Sequence, residues 1–338
     1  MRKARFKVLL AAAAMLSVAA VACSNVSSST SGPAGSGSTV PDNSGTTINL
    51  AVSPWQGSAA NVAVAQVLLE QKLGYTVKTT NIDEYAQFPA IAKGTLDGTL
   101  EVWPSGHAAD YKKYIQGNNG VVDGGKLGVI GQIGWYVPTY MITAHPELAN
   151  WQGLKQDAGM FKTAESGSAG QILDGDPSYV TFDQAIANNL GLNLKVVYAG
   201  SEAAEITALK TAYAKQAPIL MYFWTPHWAQ AKYDLTAIKL PAVTPACTSA
   251  AANNASAYAC AYPEDDLYKA FNDQLQTKAP AAFAFLSAMS YTNDDQNGIA
   301  LDINNGMTPA AAAQKWLDAN PTVWQPWVDA GLAAQSSS

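Results

Sequence analysis

The stretch Glu101-Val102-Trp103-Pro104-Ser105-Gly106-His107 decides the fold. Before it, Leu96, Thr99, Leu100 and Val102 alternate as a strand does, and after it Ala108 to Ile115 reads as a helix, with a Pro and a Gly in the turn between. Trp103 and His107 therefore stand at the carboxyl end of a strand, where open α/β sheets place their ligands. An aromatic face beside one imidazole suits a small solute with a soft cationic end and an anionic end. The other reading makes Trp103 core and His107 a helix-capping surface residue, and this stretch alone does not choose.

Upstream, Ile48–Val52 reads as a strand, Ala59 to Leu73 as a helix stopped by Gly74, and Tyr75–Lys78 as a strand. That succession is a βα unit of a parallel sheet. Trp55 lies in its first strand-to-helix loop and would face the same edge as Trp103. A further helix covers Phe88 to Lys93. Downstream, the aromatic run Gly131 to Met141 reads as a strand crossing between domains, since Pro138 disfavours a central sheet position.

The pattern restarts from Met141 to about Leu240. Trp151 and Leu154 open it, and the small-residue loop Ser166–Gly170 and a helix from Thr181 to Leu190 follow. Lys195–Tyr198 reads as a strand, and Ser201 is the N-cap of a helix reaching Lys215, with Glu202 and Glu205 in its first turn. The strand Pro218–Phe223 then delivers a second aromatic turn, Trp224-Thr225-Pro226-His227-Trp228, built of the same chemical parts as the first. Beyond Leu240, helices are expected near Leu267–Thr277, Ala281–Met289 and Pro309–Ala319, with Trp316, Trp324 and Trp327 as packing residues.

At the amino terminus, Arg2, Lys3, Arg5 and Lys7 precede an apolar run from Val8 to Ala22 that is too short to span a bilayer, so residues 1–22 read as a signal peptide. Ala20-Val21-Ala22-Cys23 resembles a bacterial lipobox with Ala20 in the place of its usual Leu, which makes Cys23 the lipid-bearing residue. Ser, Gly, Thr and Pro dominate from there, so residues 23–45 form a lipid-anchored flexible tether. Losing the signal's four cations leaves 16 basic against 26 acidic residues, a net charge of −10. No basic stripe follows the amino terminus, which argues against nucleic acid as a partner. Cys247 and Cys260 remain, and two cysteines in an exported chain most simply form one disulfide.

No catalytic signature is complete. Ser168 follows Ser166 where a nucleophile elbow needs Gly, there is no phosphate-cradling glycine loop and no His-Glu-x-x-His, and Asn293 to Gly298 is a polar turn instead of a calcium loop. What stands out is a surplus of aromatics, nine Trp and fifteen Tyr, with several in loops at strand ends. An aromatic cage attracts a quaternary ammonium through ring quadrupoles. A betaine's other end is a carboxylate, which His107, His227 or backbone N–H groups at a helix start could hold.

From Ile48 to Val328 the chain resembles the substrate-binding proteins of glycine betaine/proline-betaine/choline ABC importers, most specifically in Trp103-Pro-Ser-Gly-His107, Gly134-Trp-Tyr-Val-Pro138 and Trp224-Thr-Pro-His-Trp228. The resemblance implies an α/β, two-lobed periplasmic-binding-protein-like fold of type II, with lobes joined by two crossing strands. Lobe I would comprise residues 46–138 and 241–332, and lobe II residues 139–240. Trp103 and Trp224 carry over as cage walls and His107 as the holder of the ligand carboxylate. The family's Pro-Gly-Trp-Gly loop has no counterpart in Ser166–Tyr179, so Tyr179 or Tyr136 would take its place. The implied protein is an extracytoplasmic, lipid-anchored monomer without cofactor, metal or catalytic residue. It would hand a small quaternary amine to an ABC permease with its ATPase subunit. The alternatives are the same fold binding a cationic or aromatic amino acid, and an amine-modifying enzyme.

Overall fold

The computed structural model describes residues 40–337, apart from the side chains of 251–253. The expected signal peptide, Cys23 and the tether as far as residue 39 lie outside the described residues. The strands are β1 (Thr47–Val52), β2 (Thr76–Asn81), β3 (Gly98–Val102), β4 (Val121–Pro138), β5 (Gly170–Asp174), β6 (Leu194–Tyr198), β7 (Met221–Thr225), β8 (Leu235–Ala237) and β9 (Glu264–Asn272). Among the described residues they form one nine-stranded sheet, ordered β2-β1-β3-β9-β4-β7-β5-β6 with β8 paired to β4.

Two parallel sections flank an antiparallel middle. β1 pairs in parallel with β2 and β3, and β5 does so with β6 and β7. Between these sections runs β4, 18 residues long. Its first part, Val121 to Gln132, pairs with β9, and Gln132 to Tyr136 pairs with β7. β4 thus belongs to both halves of the sheet and contains most of the crossing strand expected over Gly131–Met141, but it starts ten residues earlier, at Val121, and residues 139–141 already lie in the helix Thr139–Ala144. Pro138, which has no N–H to give, is its last residue and faces only the short strand β8. The loops that follow β1, β3 and β5, together with β7 itself, carry the aromatic residues of the candidate site.

The first βα unit shows why the chain folds this way. The helix Gln56–Gln71 buries Val62, Val64, Val67, Leu68 and Leu69 between the sheet and the helices Asn293–Asn304 and Pro309–Ala319, and Ile48 and Leu50 of β1 are fully covered. The loop after that helix turns on Gly74, whose φ of +71° and closeness to the Pro41 carbonyl leave no room for a side chain. Ser201 caps the helix Glu202–Lys215 as expected, its hydroxyl accepting from the Ala204 N–H at 3.2 Å. Trp316 and Trp327 are buried among the carboxyl-terminal helices.

Two expectations are corrected. The helix expected near Leu267–Thr277 is in its larger part the strand β9, with only Leu275–Lys278 helical. β9 lies between β3 and β4 with both faces covered, so its apolar residues show no period-two alternation, and the spacing of Leu267, Ala270 and Phe271 imitates a helix face. Lys269 is buried in it, donating to the Ser287 and Met289 carbonyls at 2.9 and 2.5 Å where the helix Pro280–Ala288 ends. Second, Asn293 opens the helix Asn293–Asn304 and not a polar turn. Thr292 and Asp295 cap it reciprocally, a pairing that supplies the start signal.

Cys247 and Cys260 are joined, 13 positions apart, and close the segment by which the chain returns from β8 to β9. Replacing both by Ala is expected to cost about 3 kcal/mol in the chain-entropy account of a loop this long. A urea titration of the oxidised protein against the double variant measures that difference.

Candidate ligand-binding site

Trp55 stands three residues after β1 and Trp103 directly after the neighbouring strand β3, each at the N-cap of the next helix. Pro104 favours that start because its missing N–H would be unpaired there in any case. The planes of both indoles are set from behind by Glu101. Its Oε1 accepts from Trp55 Nε1 at 2.7 Å and Trp103 Nε1 at 3.0 Å. Its Oε2 accepts from Asn61 Nδ2 at 2.6 Å and Gln296 Nε2 at 2.8 Å. On its other side the six-membered ring of Trp103 lies against Gly131, where any Cβ would collide with it. Asp265 of β9 fixes the turn after Trp103 by accepting from the Ser105 N–H and hydroxyl at 3.0 and 2.6 Å.

The other half of the sheet contributes Tyr179, from the turn after β5, and Tyr222 and Trp224, two apart on β7 and so on one face of it. Tyr179 meets Trp55 and Trp224 edge-on, with ring centroids 5.8 Å apart in each pair and interplanar angles of 74° and 88°. Tyr222 lies tilted against Tyr179 and Trp224 at 6.1 and 6.0 Å. In each such edge-to-face pair one ring gives a single face to the edge of the other, so most of the ring faces stay free of one another. The five rings line one cavity together with Glu84, Gly106, Ile133 and Val180. The cavity is small and mostly aromatic, which suits a small solute and nothing of peptide size.

Of the residues singled out in the sequence, Trp55, Trp103, Tyr179 and Trp224 meet at this cavity. Three others are placed elsewhere. Tyr136 is buried against Phe223, so Tyr179 and not Tyr136 stands among the cage rings. His107 lies behind Glu84, its Nε2 bonded to Glu84 Oε1 at 2.8 Å and its Nδ1 to Asp110 at 2.9 Å. His227 packs edge-on against Trp224, its Nδ1 accepting from the Ala229 N–H at 3.0 Å and its Nε2 donating to Glu202 at 2.8 Å. Both ring nitrogens of each imidazole are thus engaged by the chain itself. Sequence reasoning missed Glu84, Glu101 and Tyr222. Only Tyr222 had a local signal, its spacing of two from Trp224.

Five hydrogen bonds cross the cavity's rim from one half of the sheet to the other. Gln56 donates its N–H to Glu202 at 2.7 Å, and its side-chain oxygen accepts from Trp228 Nε1 at 2.7 Å. The Val180 N–H donates to Glu84 at 2.8 Å. Tyr85 and Tyr179 donate their hydroxyls to the carbonyls of Tyr179 and Pro54 at 3.0 and 3.2 Å.

The site is rich in buried carboxyls. Burial pushes Glu101 up to about 7 against the pull of its indole and amide donors. Burial also raises Asp183 to about 7 and Asp265 to about 6, and burial with the nearby Asp183 raises Asp174 to about 8. Glu205, behind Tyr179, is held well up by burial and by Asp174, and its two oxygens have no hydrogen-bond partner among the described residues. Burial opposes the charged form of His107, yet its bonds to Asp110 and Glu84 prevail and lift it to about 9. All these groups bind protons more tightly in the folded chain than in the unfolded one. Each contribution is full below the group's unfolded pKa and is lost as pH rises through its folded value. Lys269, pushed down to about 8, acts in the opposite sense only above that pH. The urea midpoint is therefore expected to fall steadily between about pH 5 and pH 9, and denaturation curves across that range check it.

Comparison with known proteins identifies the family. The family model described as the substrate binding domain of ABC-type glycine betaine transport systems matches residues 46–319. A trimethylamine N-oxide-binding protein of Pelagibacter ubique is 27% identical over 290 residues, 82% of this chain and 90% of that protein. A glycine betaine/carnitine transport binding protein of Listeria monocytogenes is 28% identical over 129 residues, 38% of each chain. Lactococcal OpuAC, solved closed with glycine betaine, superposes with a TM-score of 0.65 at 24% identity, covering 83% of this chain and 99% of that one. A choline-binding protein in complex with choline gives 0.67 at 18%, covering 86% and 97%. The architecture is thus the two-lobed α/β one expected from the sequence, and the chain belongs to the substrate-binding proteins of ABC-type glycine betaine transport systems.

Proposed function

We propose that this chain captures a small methylated amine between two lobes, residues 46–138 with 241–332 and residues 139–240, and releases it to an ABC permease with its ATPase subunit. The observation that carries the reading is the convergence of Trp55, Trp103, Tyr179, Tyr222 and Trp224 on one small cavity walled also by Glu84. A quaternary ammonium has no N–H to donate, so recognition falls to ring faces and to the surrounding negative charge. Glu84 at the wall supplies acidic chemistry, and no Lys or Arg lines the cavity among the described residues. The relatives, which include a trimethylamine N-oxide-binding protein and a glycine betaine/carnitine transport binding protein, support the same class of guest.

Two rings come from the loops after β1 and β3 and three from the loops and strands of the other half, so the full set of faces exists only when the halves meet. The hydrogen bonds of Gln56, Tyr85, Tyr179 and Val180 across the rim favour that closed arrangement. The chain performs no chemistry on the guest. Anchored through Cys23 outside the cytoplasmic membrane and tethered by residues 23–45, it works as a monomer.

Calorimetry with choline, trimethylamine N-oxide, tetramethylammonium and glycine betaine tests the cage. At least one is expected to bind, and Trp103→Ala or Trp224→Ala should weaken it about tenfold each, the loss of one ring face. No binding by any of the four, or binding indifferent to both substitutions, ends the reading. For the anchor, Cys23→Ser is expected to move the protein from the membrane to the soluble fraction of expressing cells. An unchanged distribution removes that part.

A further inference from the structure

The cage described above is flanked by donors well suited to an anionic group. On one side stand the first backbone N–H of the helix Gln56–Gln71, next to Trp55, and the Nε2–H of His227, packed on Trp224. On the other stand His107 and the Val180 N–H. None is left for a guest. Glu202 reaches across the rim and takes the first pair, one oxygen to His227 at 2.8 Å and the other to Gln56 at 2.7 Å. Glu84 takes the second pair in the same bidentate way, at 2.8 Å each. Both carboxyls are buried, and Glu84 also forms part of the cavity wall.

A second observation is compositional. Beyond Arg5 the chain contains no arginine, the side chain whose fork matches a carboxylate. The third histidine, His145, is exposed and paired with Glu147, away from the cavity. What the cavity keeps for a polar end is the Tyr222 hydroxyl, a neutral donor with no hydrogen-bond partner among the described residues. One phenol satisfies a hydroxyl or an N–O oxygen, whereas a desolvated carboxylate beside two Glu side chains would be left underpaired and repelled.

We infer that the guest is a compact methylated amine without a carboxylate, of the choline or amine-oxide class, because Glu202 and Glu84 occupy the donors that a betaine's carboxylate would need. The chain supplies internally the anion that a betaine would bring with it. This rests on the aromatic-cage reading, and the two fail differently.

Calorimetry of the wild-type protein with choline, trimethylamine N-oxide, tetramethylammonium and glycine betaine gives the first readout. At least one of the three carboxylate-free ligands is expected to bind about a hundredfold more tightly than glycine betaine, the discrimination of a site that would bury an unpaired charge. Glycine betaine binding as tightly as the best of them overturns the inference and leaves the cage standing. Failure of all four overturns both. Glu202→Ala frees His227 and Gln56, so the preference over glycine betaine should shrink about tenfold. Glu202→Gln, which keeps the side chain's shape, should shift it in the same direction should the Ala variant fold poorly. A preference unchanged in a folded variant also overturns the inference.

Discussion

The aromatic wall that Trp55 and Trp103 give to the cavity depends on one buried carboxyl with four donors around it. Glu101 gathers Trp55, Asn61 and Gln296, which lie 46, 40 and 195 positions away, and Trp103 two positions on. A carboxylate offers about four lone-pair positions, and here each meets an N–H. An indole is donor-only, so tying its N–H edge to a fixed oxygen also fixes the plane of the ring. Without that oxygen, two large side chains in loops would each have several rotamers. Their faces would then oppose a guest only part of the time.

The same device recurs through the molecule. Asp183 accepts from Trp135 Nε1 at 2.5 Å and from the Tyr262 hydroxyl at 3.1 Å, and Asp295 accepts from Trp316 Nε1 at 3.0 Å while it caps a helix. A chain with only 14% charged residues thus directs a good part of its acidity inward, as acceptors for buried indole, phenol and imidazole donors. The acidic balance of the sequence is therefore partly a property of the interior. An acceptor left with nothing to accept, as at Glu205, is disfavoured in its charged form by burial and holds its proton well above the usual carboxyl range.

What could be read from the sequence follows the range of each signal. Trp103 and Trp224 stand in short motifs with a Pro and a His, and Trp55 and Tyr179 follow strand ends, so local order sufficed to place four of the five rings. The crossing strand declared itself through Pro138. The bonding of the histidines was not legible because what an imidazole does depends on its partners. Glu84 lies 23 positions from His107, and Glu202 lies 25 from His227. Glu202 occupies a helix's first turn, where an acidic residue has a sufficient local reason to be, and nothing nearby shows that it turns inward across the rim. β9 was hidden because a strand buried on both faces has no alternation to display.

The placement of Glu202 and Glu84 also bears on how closure and recognition divide the work. Bonds from these carboxyls to Gln56 and Val180 join the two halves whether or not a guest carries a charged tail, so part of the closed state's stability is intrinsic to the chain. On the proposed reading a guest adds only what the rings and the wall of the cavity provide, which are interactions gained by enclosing a methylated cation. An amine with a carboxylate would have to displace an internal one, and opening those bonds would loosen the arrangement that creates the cage. On the proposed reading, selectivity and closure are in this way two consequences of one pair of side chains.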